Sequence, residues 1–245
     1  MRVMVSRSRV QTVGSAIALL VLSSSAAPAQ QAGGSAMQEA VQAKLAQVKQ
    51  DAAANKAALA KYGWMETIQV AVNGEVKQTK QMSCRYGPDG KSQCAPVGDQ
   101  PPPQQERGLR GRMAEKKKEE FTDYMQQVKG LIGLYVPPDG ARMQAAHAAG
   151  NLSLSPPAAG EAGLVFRNYA QPGDAMTLEF AMATHKLSTL SVNTYLGAPS
   201  SPVTLNVQFA ALPDGTNYPA QETVNAQAKG IVLTVSNGNY QKLMQ

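Results

Sequence analysis

The sequence predicts an α+β protein built on one strongly curved antiparallel sheet of about eight strands, with helices packed on its apolar side; a two-sheet sandwich is the alternative. Three observations carry this. Residues after 163 alternate apolar and polar with a period of two, run after run. Two segments ahead of them, 35–62 and 113–135, repeat their apolar residues every three or four positions instead. Turn signals punctuate the alternating part: Asn73-Gly74, and Pro-Asp-Gly at 88, 138 and 213.

The 245 residues, 43% hydrophobic and 16% charged, are ample for a buried core and unlike a collagen, a disulfide-dense miniprotein or a charged disordered chain. Residues 1–29 read as a signal peptide. Arg2, Arg7 and Arg9 form a basic start, Val13 to Leu22 an apolar run, and Ala27-Pro28-Ala29 a small-residue cleavage site. The apolar run is far short of the roughly 20 residues that span a bilayer. Cleavage there leaves a soluble, exported chain, periplasmic or secreted, whose net charge falls from +6 to +3 with the loss of those three arginines. A nucleic-acid partner is not expected at that charge.

Residues 30–62 are read as an N-terminal helix segment, on a stripe of Met37, Val41, Leu45, Val48, Ala52, Leu59 and Tyr62. Residues 63–245 then form a single α+β domain. Trp64, Ile68, Val70 and Val72 alternate with Thr67 and Gln69 as a first strand, and Glu75 to Tyr86 returns. A two-residue Asn73-Gly74 loop sets Val70 opposite Lys77. A three-residue Val72-Asn73-Gly74 loop sets Val70 opposite Val76 and is favoured because it keeps apolar side chains on one face.

Pro88-Asp89-Gly90 suits a three-residue hairpin loop, with Gly90 in the left-handed position. Counting outward puts Cys84 opposite Cys94, so an exported chain is expected to join them as a disulfide. Zinc would require more ligands than these two cysteines and two distant histidines supply, and no metal or cofactor is expected.

Pro101-Pro102-Pro103 makes 98–106 an extended connector. A basic stretch follows: Arg107, Arg110, Arg112, Lys116, Lys117 and Lys118, offset by Glu115, Glu119 and Glu120. It is a solvated loop and helix face, or a contact for anionic head groups or an acidic partner. The helix of 113–135 carries Phe121, Met125, Val128, Ile132 and Tyr135, and Pro137-Pro138 stops it. A shorter helix spans about 139–149. Strands follow at 164–169, 176–182, 187–196, 203–209, 218–226 and 231–240.

The order of these elements resembles the outer-membrane lipoprotein-carrier (LolA-like) superfamily. The resemblance is carried by the Tyr86-Gly87-Pro88-Asp89-Gly90-Lys91 turn, by Leu212-Pro213-Asp214-Gly215-Thr216-Asn217-Tyr218-Pro219, and by Gly230-Ile231-Val232-Leu233-Thr234-Val235. It implies a half-barrel of up to eleven strands with helices on its concave face, sheltering acyl chains in the periplasm. No site residue is carried over from that family.

The motifs of common enzyme classes are missing: no G-x-S-x-G, H-E-x-x-H, P-loop or calcium loop, and no close carboxylate pair on a strand end. His147 and His185 read as surface or packing residues. The expected function is therefore non-enzymatic, a binding protein that shelters a lipid or other apolar ligand. Phe121, Met125, Val128 and Ile132 of the helix and Met176, Phe180, Met182 and Phe209 of the strands would line the site. If the same residues fill the sheet completely, the chain is an interaction or scaffold module with a packed core. The partners expected are a lipid or lipoprotein acyl chain and an anionic membrane surface.

Overall fold

Alternating side chains commit a strand to two unlike faces, and the structure shows which residues took which. The computed structural model describes residues 46, 50–98, 109–155 and 160–243. The signal peptide at 1–29, the helix assigned from 35 to 45, connector residues 99–106 and Arg107 lie outside the described residues.

Ten strands form one open antiparallel sheet among the described residues. They are β1 (Tyr62–Val72), β2 (Glu75–Tyr86), β3 (Ser92–Pro96), β4 (Leu152–Leu154), β5 (Glu161–Arg167), β6 (Ala175–Ala181), β7 (Leu187–Tyr195), β8 (Pro202–Ala211), β9 (Asn217–Ala226) and β10 (Ile231–Lys242). Three helices accompany them: α1 at 50–59, α2 (Leu109–Ile132) and α3 (Gly140–Ala148). Strand order is β3-β2-β1-β10-β9-β8-β7-β6-β5-β4, so the last strand inserts beside the first and leaves β3 and β4 as edges. The sandwich alternative is excluded.

The expected strands are present to within a few residues at each end. Four readings are corrected. The first hairpin closes through the two-residue Asn73–Gly74 loop, with Val72 opposite Glu75 and a bulge that sets Val70 opposite Gln78. Both loop residues have positive φ, 51° and 83°, the mirror-image turn that matches strand twist. Apolar matching across the hairpin lost to this turn geometry. The first helix ends at Leu59, and Tyr62 begins the strand instead of completing the helical stripe. The central helix runs four residues earlier and stops at Ile132, before Tyr135. Strand β4 was not anticipated, being only three residues long.

The two Pro-Asp-Gly hairpins close as read. Gly90 and Gly215 both take positive φ, and in each loop the glycine N–H donates back to the residue before the proline, at 2.9 and 2.8 Å. At the third occurrence Asp139 caps α3 by accepting from the Arg142 N–H. A disulfide joins Cys84 to Cys94, which face each other across β2 and β3.

The core lies on one face of the sheet. Met176 and Leu178 of β6, Leu190 and Val192 of β7, and Val203, Leu205 and Val207 of β8 are each at most 2% exposed. The segment after α2 docks on this face. There Tyr135 is fully buried and its hydroxyl meets Asp174 at 2.6 Å and Thr194 at 2.7 Å. Helix α3 buries Met143 and Ala146. No helix among the described residues is long and apolar enough to cross a membrane.

Candidate functional site

Cross-strand register traces two rows over the apolar face. One runs Val70, Leu233, Val224, Leu205, Val192, Met176 and Phe166; the next runs Ile68, Val235, Glu222, Val207, Leu190, Leu178 and Leu164. Both rows are buried from β8 to β5. Toward β10 and β1 the seal loosens: Ile68, Val72, Leu233 and Val235 are only half-buried. Phe121 of α2 reaches this looser half. With Val70, Val72, Lys77 and Gln78 it lines a cleft of about 310 Å³, at the lower end of the roughly 300–1,000 Å³ usual for ligand pockets. One turn along α2, Tyr124 lies under the Lys229 ammonium, 5.9 Å from its ring centre, and its buried hydroxyl has no hydrogen-bond partner among the described residues.

The residues expected to line a site are thus divided. Phe121 reaches the cleft. On α2, Val128 is buried and Met125 and Ile132 half-buried. Met176 and Phe180 belong to the packed half of the face, fully and nearly fully buried. Phe209 is half-buried opposite Pro219. Met182 is 52% exposed, in the turn after β6, because the strand ends at Ala181 and the alternation stops there. Lys116, Lys117 and Lys118 are exposed on α2, and Lys117 and Lys118 lie one turn before Phe121.

Further along the same face lies a second group that the sequence reading passed over. Glu66 follows Trp64 in the apolar phase of β1, and Glu222 precedes Val224 in that of β9. Their cross-strand neighbours are Asn237 for Glu66 and Val235 for Glu222. A bulge in β10 opposite Trp64 has Asn239 at φ 53° and turns Tyr240 onto the face that Trp64 occupies. Trp64 stacks on Tyr240 at 5.7 Å and meets Tyr86 at 4.9 Å; Tyr218 meets Tyr240 at 4.4 Å. A Glu66 carboxylate oxygen lies within 4.8 Å of both disulfide sulfurs. As a disulfide, those sulfurs are not thiolates and cannot complete a metal site with it.

Electrostatics follow from burial. Desolvation raises the Glu66 carboxyl above its usual range. It raises Glu222 too, and the Glu66 charge adds to the effect. The Tyr240 hydroxyl is pushed up by burial first, then by Tyr86, Tyr218 and both glutamates. Neither carboxylate has a hydrogen bond or counter-ion among the described residues. The signal that could have revealed them was present: a charged residue standing in apolar phase on each of two strands.

No protein-family model matches the chain, and no curated protein matches it.

Proposed function

We propose that this protein binds an apolar ligand, lipid-like in chemistry, on the loosely sealed half of its sheet, beneath α2. The observation that carries the reading is the asymmetry of one continuous face. Three central strands have their side chains on this face closed to solvent, whereas the β10–β1–β2 side keeps half-buried aliphatic side chains and a cleft bounded by Phe121. A scaffold with a packed core would have closed both halves. The unpartnered Tyr124 hydroxyl beside the cleft adds a polar point where a ligand group could bond. The resemblance to lipoprotein carriers supports the same reading, as does the disulfide, which suits an oxidising exported compartment.

The test is a titration with the neutral fluorophore N-phenyl-1-naphthylamine, alongside native mass spectrometry of protein taken from its producing cell. A saturable fluorescence rise is expected. Phe121→Ala should weaken it about tenfold, near 1.4 kcal/mol, within what burying one such side chain provides, with an unchanged circular dichroism spectrum. A folded Phe121→Ala protein that binds as well as wild type, or a wild type that neither takes up probe nor carries lipid, returns the chain to the scaffold reading.

A further inference from the structure

The second group on this face consists of hydrogen-bond acceptors and aromatic rings, and among the described residues no donor bonds those acceptors. Glu66 and Glu222 are two carboxylates with no counter-ion among the described residues. The Asn237 side chain spends its amide on the Pro219 carbonyl at 3.0 Å, and its buried Oδ1 has no partner among the described residues. Asn237 sits directly opposite Glu66 across β1 and β10, so its orphan acceptor shares the face with the carboxylate. Trp64, Tyr86 and Tyr240 pack on one another beside them, with Tyr86 and Tyr240 close enough to feel the glutamate charges, and aromatic rings attract cations through their quadrupoles. A buried acceptor left unmade is costly; Asn237 Oδ1 is one, and the half-buried Glu66 and Glu222 carboxylates share its face. What satisfies them together is a cation that also donates N–H bonds.

We propose that Glu66, Glu222 and Asn237, walled by Trp64, Tyr86 and Tyr240, form a receptor for an organic ammonium group. The proposal deepens the reading above, on which it rests for the path of the ligand's chain, by naming the ligand's polar end. From Glu66 the face continues along β1 through Ile68 and Val70 to Val72 at the Phe121 cleft. Six residues of strand cover about 20 Å, a length that suits an amphiphile with its ammonium at Glu66 and its chain toward α2. The exposed basic residues of α2 lie elsewhere, and Lys80 of β2, opposite Ile68, makes no ion pair with either carboxylate.

Trp64 is the only tryptophan of the chain, so its fluorescence reports on this site directly. The experiment titrates the full-length protein at pH 7.5 with octylammonium, 1-octanol and octanoate. The expected result is that octylammonium saturates the Trp64 signal about tenfold more tightly than 1-octanol, as a desolvated cation over aromatic rings should, and that octanoate binds weakest. In the double variant Glu66→Gln, Glu222→Gln the ammonium preference should vanish while 1-octanol binding is kept. The preference should also fall on acidification as the raised carboxyls of Glu66 on β1 and Glu222 on β9 take up protons, a measurement on wild type that needs no variant. Tyr86 of β2 and Tyr240 of β10, which face them, stay protonated throughout because their hydroxyls are shifted upward, and the Lys80 side chain of β2 stands on the same face opposite Ile68.

Equal affinity for the three probes overturns the proposal, as does a preference that survives the double substitution or acidification. A saturable response to Ca²⁺ with none to octylammonium also overturns it. Retained N-phenyl-1-naphthylamine binding without ammonium preference sinks this inference and leaves the cleft reading intact; the reverse pattern sinks the cleft alone.

Discussion

Glu222 shows what a single residue contributes when its side chain stands in the wrong environment. It occupies an apolar phase between Val235 on one neighbour and Val207 on the other. Burial, then the nearby Glu66 charge, raises its carboxyl. A carboxyl raised in the folded state is one the fold holds more readily protonated, so the ionised form opposes folding above the raised range, and that cost is relieved as pH falls through it. Glu222→Gln removes the charge and keeps the shape. Its melting temperature should exceed wild type at pH 7.5, and the gap should close as the solution is acidified toward pH 4. Thermal scans across that interval check this; a variant less stable than wild type at pH 7.5 would show that the carboxylate is satisfied in the free protein. Selection for stability alone would have replaced both glutamates, which is why they are more informative than the aliphatic residues around them. The sequence displays them openly, yet a period-two pattern that tolerates one polar member hides it.

At the scale of elements, turns and registers hold the strands to their partners. The Pro172-Gly173-Asp174 turn was legible as a turn, and its side chain proves to be the organiser. Asp174 is 2% exposed and accepts from the backbone N–H groups of Tyr169, Ala170 and Gln171, and from the Tyr135 hydroxyl after α2. One carboxylate thus ties the β5–β6 connection to the chain leaving the central helix. Asp174→Ala takes the acceptor from those three buried or part-buried N–H groups, while the Tyr135 hydroxyl keeps Thr194, and at about 1–3 kcal/mol for each unsatisfied group the loss should reach about 3 kcal/mol in urea unfolding. A loss below about 1 kcal/mol would mean that water replaces the carboxylate without difficulty. Local patterns revealed most elements because period two and period 3.6 are properties of short windows. They did not reveal register. The Asn73–Gly74 loop and the bulges near Lys77 and Asn239 depend on turn twist and on strands far away in sequence. Asn73, for instance, is held by its N–H to the Gly230 carbonyl at 2.8 Å, joining two hairpin ends that no local window contains.

For the folded unit as a whole, strand order decides which part is firm and which part is free to receive a ligand. Because β10 inserts beside β1, the β1–β2 hairpin joins the rest of the sheet only through β10, and the neighbouring β3 is exposed along its whole length. The opposite part, β6 to β8, has strand neighbours on both sides and side chains closed to solvent on the apolar face. Local opening follows burial and pairing, so amide exchange should be slowest in β7 and β8 and fastest in β3 and the adjoining end of β2. The order should hold when the Cys84–Cys94 disulfide is reduced, with β3 exchanging faster still while β7 and β8 keep their protection. Saturation with octylammonium should slow exchange in β1, β9 and β10, the strands that carry Glu66, Glu222 and Asn237, and leave β5 unchanged. Uniform protection across the ten strands would contradict the division into a sealed and a receptive half. Slowing confined to β5 and β6 would place the ligand against the packed half and require a different site.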